Sequence, residues 1–272
     1  MIKNVIFGGG GLKGWAYIGV LRALDEYITR KNLEEIIGVS VGSIFGLFYT
    51  LDLKWDYLLD SFMKLNIKEL LDVDINNIII NQSIFEGKKF KKTVEDIIRI
   101  KCPSCITFMQ LHLMTGLTFT VNATNLNVYK LEYFNHKLTP DIKVIDAIMA
   151  SSSLPIMFPP YCINDTYYYD GGFCNNCPIE IVDELYSIAF DLTLYDSKYN
   201  NHSFKLLDLL MCLTIMANNK KTKPDNIYSI LDSKFKNEFM NLNQTRDDVF
   251  NIYMNGYHNA KEILFTNHIS LK

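Results

Sequence analysis

VIFGGGGLKGWAYIGVLRALDEYITRKNLEEIIGVSVGSIFGLFYTLDL, residues 5–53, decides the fold. Val5-Ile6-Phe7 is a short apolar run that stops at consecutive glycines. Trp15–Ile28 then places Trp15, Ile18, Leu21 and Leu24 on one helical face. Ile36-Ile37-Gly38-Val39 is a second apolar run, of the kind a strand buried on both faces carries. It leads directly into Ser43–Leu53, an apolar helical stretch. Strand, helix, strand, helix in this order predicts an α/β architecture, a mostly parallel central sheet sandwiched by helices.

Further along, Leu58–Leu71 and Lys88–Lys101 have amphipathic helical spacing. Leu117–Asn122 and Val128–Phe134 read as strands. Thr139-Pro140-Asp141 suits a helix start before Ile142–Ser151, with proline in the first turn. Pro155, Pro159 and Pro160 force irregular chain, and Tyr167–Tyr169 is a short strand that ends at Asp170-Gly171-Gly172. Leu206–Ala217 reads as a buried helix and Ile227–Leu231 as a late strand. Thr245 with Asp247 and Asp248 suits the start of a last helix that runs to about Phe265. No linker interrupts residues 1–272. The expected organisation is one domain, with its motif-bearing part in 5–180 and a C-terminal helical part, 204–268, packed on it.

Composition narrows the classes. The 272 residues are 49% hydrophobic and 21% charged, ordinary for a globular chain and unlike a disordered or fibrous one. A net charge of −3 provides no whole-chain attraction to nucleic acid, which is not expected as a partner. Six cysteines are too few for a disulfide scaffold. The N-terminal apolar run is too short for a secretory signal, and the longest uncharged stretch, Ile36–Leu51, falls short of the ~20 residues of a spanning helix. The expected location is cytoplasmic, with peripheral contact to membranes.

Two motifs carry chemistry. Gly8–Gly14, between a strand and a helix, permits three readings. As Gly9-x-Gly11-x-x-Gly14 it matches a dinucleotide fingerprint, but Glu34 and Glu35 precede the second strand instead of ending it. It is also a plain tight turn. In the third reading its bare amides, at Gly9, Gly10 and Gly11, face a developing oxyanion. The second motif, Gly38-Val39-Ser40-Val41-Gly42, is G-x-S-x-G at a strand-to-helix junction, the setting that exposes a nucleophilic serine. A serine needs a base. His112, His136, His202, His258 and His268 are available, and Ser40…Asp170…His258 has the chain order of an α/β-hydrolase triad, although that fold sets its elbow after more strands.

With DGGFCNNCP (170–178) and SSSLPIMFPP (151–160) added, the chain resembles the patatin-like phospholipase family. GGGLKG (9–14) is similar to the family's glycine-rich oxyanion motif, with Lys13 where many members have arginine, and GVSVG (38–42) to its nucleophile motif. The resemblance implies a three-layer α/β/α fold and a lipid acyl hydrolase. Ser40 would be the nucleophile and Asp170 the general base, with Gly9, Gly10 and Gly11 as the oxyanion hole and Lys13, Gly14, Gly38, Gly42, Gly171 and Gly172 in support. It implies a phospholipid or lysophospholipid substrate met at a membrane surface, no metal and no organic cofactor. With no histidine in the reaction, activity is expected to persist as pH falls through about 6.5 unless burial raises the aspartate pKa.

Two further features stand apart. Cys102-x-x-Cys105 and Cys174-x-x-Cys177 could supply four zinc thiolates, but their separation is far longer than in ordinary zinc modules. Lys88, Lys89, Lys91 and Lys92 open a helix with Phe90, Val94, Ile97 and Ile98 on one side. It reads as a surface helix packed on the core, or as a basic face laid on an anionic membrane.

Overall fold

The computed structural model describes residues 1–65, 83–192, 225–235 and 241–270, with side chains to residue 267. The expected helix Leu206–Ala217, the end of Leu58–Leu71, and the side chains of His202 and His268 lie outside the described residues.

The strands are β1 (Asn4–Phe7), β2 (Glu35–Gly38), β3 (Thr118–Asn125), β4 (Lys130–Phe134), β5 (Tyr161–Ile163), β6 (Thr166–Asp170), β7 (Ser187–Asp191) and β8 (Ile227–Ser229). They form one sheet in the order β5-β6-β3-β2-β1-β7-β8, with β4 paired to β3. From β3 to β8 all pairings along this path are parallel, whereas β4, β5 and β6 run antiparallel to their neighbours. The helices are α1 (Ala16–Tyr27), α2 (Val41–Thr50), α3 (Trp55–Met63), α4 (Lys88–Ile98), α5 (Phe108–Thr115), α6 (Val144–Ser151) and α7 (Arg246–Ser270).

The central strands are buried on both faces, as a parallel sheet requires. Val5, Phe7, Ile36 and Phe190 join the large core that includes α1, α2 and α7. Ile6, Ile37 and Ala189 face the other way, onto Ile179. The expected α/β fold with helices packed on a largely parallel sheet is present. At its N-terminus α7 has the cap the sequence suggests: Asp248 N donates to Thr245 Oγ1 at 3.2 Å and Thr245 N to Asp248 Oδ2 at 2.8 Å.

Strand register positions the site. Val121 pairs with Gly38 of β2 and with Phe134 of β4, so those two strands occupy opposite edges of β3. Ala123 pairs with Asp170 of β6 and with Glu132 of β4, so β6 shares an edge with β2. The upward-running β2 and downward-running β6 therefore meet end to end across Asn122. Residues far apart in sequence are brought together there.

Candidate active site

At the end of β2 the chain turns sharply into α2. Val39 N donates to Phe7 O at 3.0 Å, and Gly42 N to Val39 O at 2.8 Å. Ser40 adopts φ 53° and ψ −130°, a conformation that costs a non-glycine residue on the order of 1–3 kcal/mol. The surroundings hold it there: Ser40 N donates to Ser151 Oγ at 2.8 Å, and Ser43 Oγ donates to Ser40 O at 2.6 Å. Gly42 lies so close to the carbonyls of Phe7 and Gly8 that a side chain has no room, and Gly38 lies equally close to the Ser43 backbone.

Asp170 ends β6 and is 5% exposed. Its N–H donates to Ser153 O at 2.9 Å, and its Oδ1 accepts from Gly172 N at 2.8 Å. The Ser40 hydroxyl donates to the same carboxylate. Burial raises the Asp170 pKa to about 6, although both hydrogen bonds pull it down. Gly171 packs directly on the Asn122 side chain, and Asn122 Nδ2 donates to Asn175 O at 2.9 Å.

The glycine loop runs beside this pair. A Cβ on Gly9 would lie 3.1 Å from the Ser40 Cβ. The amide of Gly9 is committed, however: it donates to Asn176 Oδ1 at 3.1 Å, while Asn176 Nδ2 reaches Gly9 O at 3.3 Å and Asp191 Oδ1 at 3.4 Å. The amides of Gly10 and Gly11 have no partner among the described residues; they open a 3-10 turn, Gly11–Trp15, whose first N–H groups are left over by geometry. Gly11 has φ 57°. Of the three expected donors, two are thus free to face a substrate and Gly9 instead anchors the loop.

Lys13 does not line the cavity. Its side chain is buried beneath the loop and donates to Leu192 O at 2.6 Å; desolvation lowers its pKa to about 8 against the opposing pull of Asp191. Beside it the Tyr17 hydroxyl donates to Gly8 O at 2.6 Å.

Ser40 and Asp170 open on a cavity of about 120 Å³ whose other walls are almost wholly apolar: Leu12, Trp15, Phe45, Phe62, Phe90 and Phe158 among them. Gly11 and Gly14 complete its polar end. Trp15 is held by a 2.7 Å hydrogen bond from Nε1 to Gln244 Oε1.

The competing assignments are not assembled. His258 is exposed on α7 beside Tyr257 and does not line the cavity, while the Ser40 hydroxyl already bonds the Asp170 carboxylate directly. Glu34 pairs with Lys3, and Glu35 accepts from Thr120 Oγ1 at 2.5 Å, both at the far end of β2 from the glycine loop. No cluster of three His, Cys, Asp or Glu side chains is placed to hold a metal among the described residues. Residue-by-residue reading missed Ser151 and Asn176. Both lie inside segments already singled out, yet what each holds depends on contacts across the fold.

The family model described as Patatin-like phospholipase matches residues 5–183. Probable lipid hydrolase 463L of Invertebrate iridescent virus 6 is 31% identical over 191 residues, 66% of this chain and 62% of that protein. Lysophospholipase NTE1 of Meyerozyma guilliermondii is 26% identical over 213 residues, 72% of this chain and 13% of that protein. The chain therefore spans less than two thirds of either relative. The crystal structure of VipD from Legionella pneumophila superposes with a TM-score of 0.61 at 16% identity, covering 97% of this chain and 67% of that one. Type III effector protein ExoU superposes with a TM-score of 0.55 at 14% identity, covering 97% and 53%.

Proposed function

Because the chain belongs to the patatin-like phospholipase family, we propose that it hydrolyses carboxylic esters of phospholipids or lysophospholipids through Ser40 and Asp170. The observation that supports this most strongly is the direct hydrogen bond from the Ser40 hydroxyl to a buried carboxylate, beside two amides without partners and an apolar cavity.

The substrate acyl chain lies among Leu12, Phe45, Phe62 and Phe90, with its ester carbonyl beside Ser40. Ser40 Oγ attacks the carbonyl carbon as its proton passes to Asp170. The carbonyl oxygen becomes an oxyanion facing the Gly10 and Gly11 amides, each such donor being worth on the order of 3 kcal/mol in the transition state. Collapse expels the alcohol, which takes the proton from Asp170. A carboxylate of pKa about 6 is a stronger base than an ordinary aspartate yet is still largely ionised at pH 7. Water then cleaves the acyl-enzyme with Asp170 as base. No helix among the described residues is long and apolar enough to cross a membrane, so in this reading the substrate is met by transient contact with a lipid surface.

Mass spectrometry of products from a mixed phospholipid panel tests the proposal. Ser40→Ala and Asp170→Asn are each expected to lower turnover at least about a thousandfold, and Ser40→Ala to abolish fluorophosphonate labelling. His258→Ala should retain activity; its loss, together with retention in Asp170→Asn, would overturn the dyad.

A further inference from the structure

The serines that end α6 and follow it hold the site from one side, two of them through the backbone N–H groups of Ser40 and Asp170. Ser151 Oγ accepts the Ser40 N–H at 2.8 Å, and Ser153 O accepts the Asp170 N–H at 2.9 Å. The Ser153 hydroxyl is spent on Met149 O at 2.8 Å. Between them, Ser152 has its N–H bonded to Ile148 O at 3.0 Å and its carbonyl bonded to Leu154 N at 2.9 Å. Its side chain is different. Ser152 lines the same cavity as Ser40 and Asp170, is 9% exposed, and its Oγ has no hydrogen-bond partner among the described residues. A buried hydroxyl left unpaired is unfavourable, and such groups are few in native proteins.

We propose that Ser152 is a catalytic residue of deacylation, whose hydroxyl holds the water that attacks the acyl-Ser40 ester. This rests on the acyl-enzyme reading above. The other demands of the reaction are already met: the oxyanion by Gly10 and Gly11, the acyl chain by the apolar walls, the proton by Asp170. The incoming water needs two hydrogen-bond acceptors to fix its lone pair on the carbonyl carbon. Once Ser40 Oγ is esterified it no longer donates to Asp170, and that carboxylate oxygen accepts one water O–H. Ser152 Oγ accepts the other. Ser152 is held beside the dyad by the neighbours on either side of it, so it lies in a fixed relation to both reacting groups.

The step balances. The water oxygen bonds to the carbonyl carbon as one of its protons passes to Asp170. The tetrahedral intermediate collapses, the bond from that carbon to Ser40 Oγ breaks, and Asp170 returns the proton to Ser40 Oγ. The fatty acid leaves, and the enzyme is regenerated.

Pre-steady-state hydrolysis of a p-nitrophenyl ester separates the two half-reactions, with intact-protein mass spectrometry following acyl-Ser40. In Ser152→Ala, the burst rate and the rate of fluorophosphonate labelling should stay within about twofold of wild type. Deacylation should fall roughly tenfold or more, so that kcat and KM fall together and the acyl-enzyme accumulates. Ser152→Thr, which restores a hydroxyl, should recover deacylation relative to Ser152→Ala. Equal losses in both half-reactions with a lowered Tm would mean a packing role and overturn the proposal. Unchanged deacylation in a protein that labels normally would overturn it while leaving the serine-esterase reading intact. A wild type that the probe does not label would overturn that reading first, and this proposal with it.

Discussion

Asp170 carries opposing demands in a single side chain. Its pKa of about 6 in the folded protein exceeds the ordinary 3.8, so between those values the native state holds a proton that the unfolded chain has released. Stability from this group is fully present below pH 3.8 and is lost as pH rises through about 6. At neutral pH the buried charge costs about 3 kcal/mol. Asp170→Asn should therefore be inactive and yet melt at a higher temperature at pH 8, with the advantage shrinking toward pH 4; calorimetry across that range checks it. The same shift changes the sequence-based expectation for activity. Burial places the titration of Asp170 near pH 6, so if it is the base, as proposed, kcat/KM is expected to fall about tenfold per pH unit below that, even with no histidine taking part. Asn176 tests the loop. Asn176→Ala removes both hydrogen bonds to Gly9 and should lower kcat roughly tenfold with little change in KM. An equal effect on KM alone would show that the loop's place was set elsewhere.

Among elements, α4 illustrates what periodicity tells and what it withholds. The spacing of Phe90, Val94 and Ile97 is legible as a helix with one buried face, but not that this face lines the cavity beside Ser40. Nor is it legible that Lys91, one of four lysines in the basic run, is half-buried and donates to Asp146 Oδ1 and Tyr161 OH, each at 2.7 Å. That pairing removes Lys91 from any membrane-facing patch and fixes the cavity wall against α6. Lys91→Ala should loosen the wall: about 1 kcal/mol of stability lost, and a several-fold rise in KM for long-chain esters with short-chain esters unaffected, as steady-state kinetics on a chain-length series would show. Other elements escaped the sequence. β7 has only Ile188-Ala189-Phe190 between Ser187 and Asp191, too short a run to register, yet it is a central strand. α5 is apolar nearly all round and lacks a helical stripe. The expected helix start at Pro140 moves to Val144 because Pro140 and Ile142 use their carbonyls to receive the first amides of α5, Met109 N at 3.0 Å and Phe108 N at 3.1 Å.

For the whole molecule, the first two strands and helices were legible because each is an apolar run punctuated by glycine, and the proposed dyad because Ser40 and Asp170 both sit in recognisable motifs. Sheet order was not legible, since nothing local in β3 says that β2 and β6 will share one of its edges. The C-terminal helix was legible from Thr245, Asp247 and Asp248, but its seat along α1 was not. It lies beyond the family match at 183 and packs along α1, with Gly19 against the Tyr253 and Tyr257 backbone and Gly256 against Ala16. Gly256→Ala should force the two helices apart and cost about 1–3 kcal/mol, read as a fall in Tm. Because α1 follows directly from the glycine loop, turnover should fall with it.

The end-to-end meeting of β2 and β6 also sets a moment in the life of the chain. A nascent polypeptide still shorter than residue 170 carries Ser40 and the glycine loop but not the carboxylate proposed to take the proton. In the proposed reaction, ester cleavage therefore waits on the pairing of β6 with β3, which no shorter chain can make.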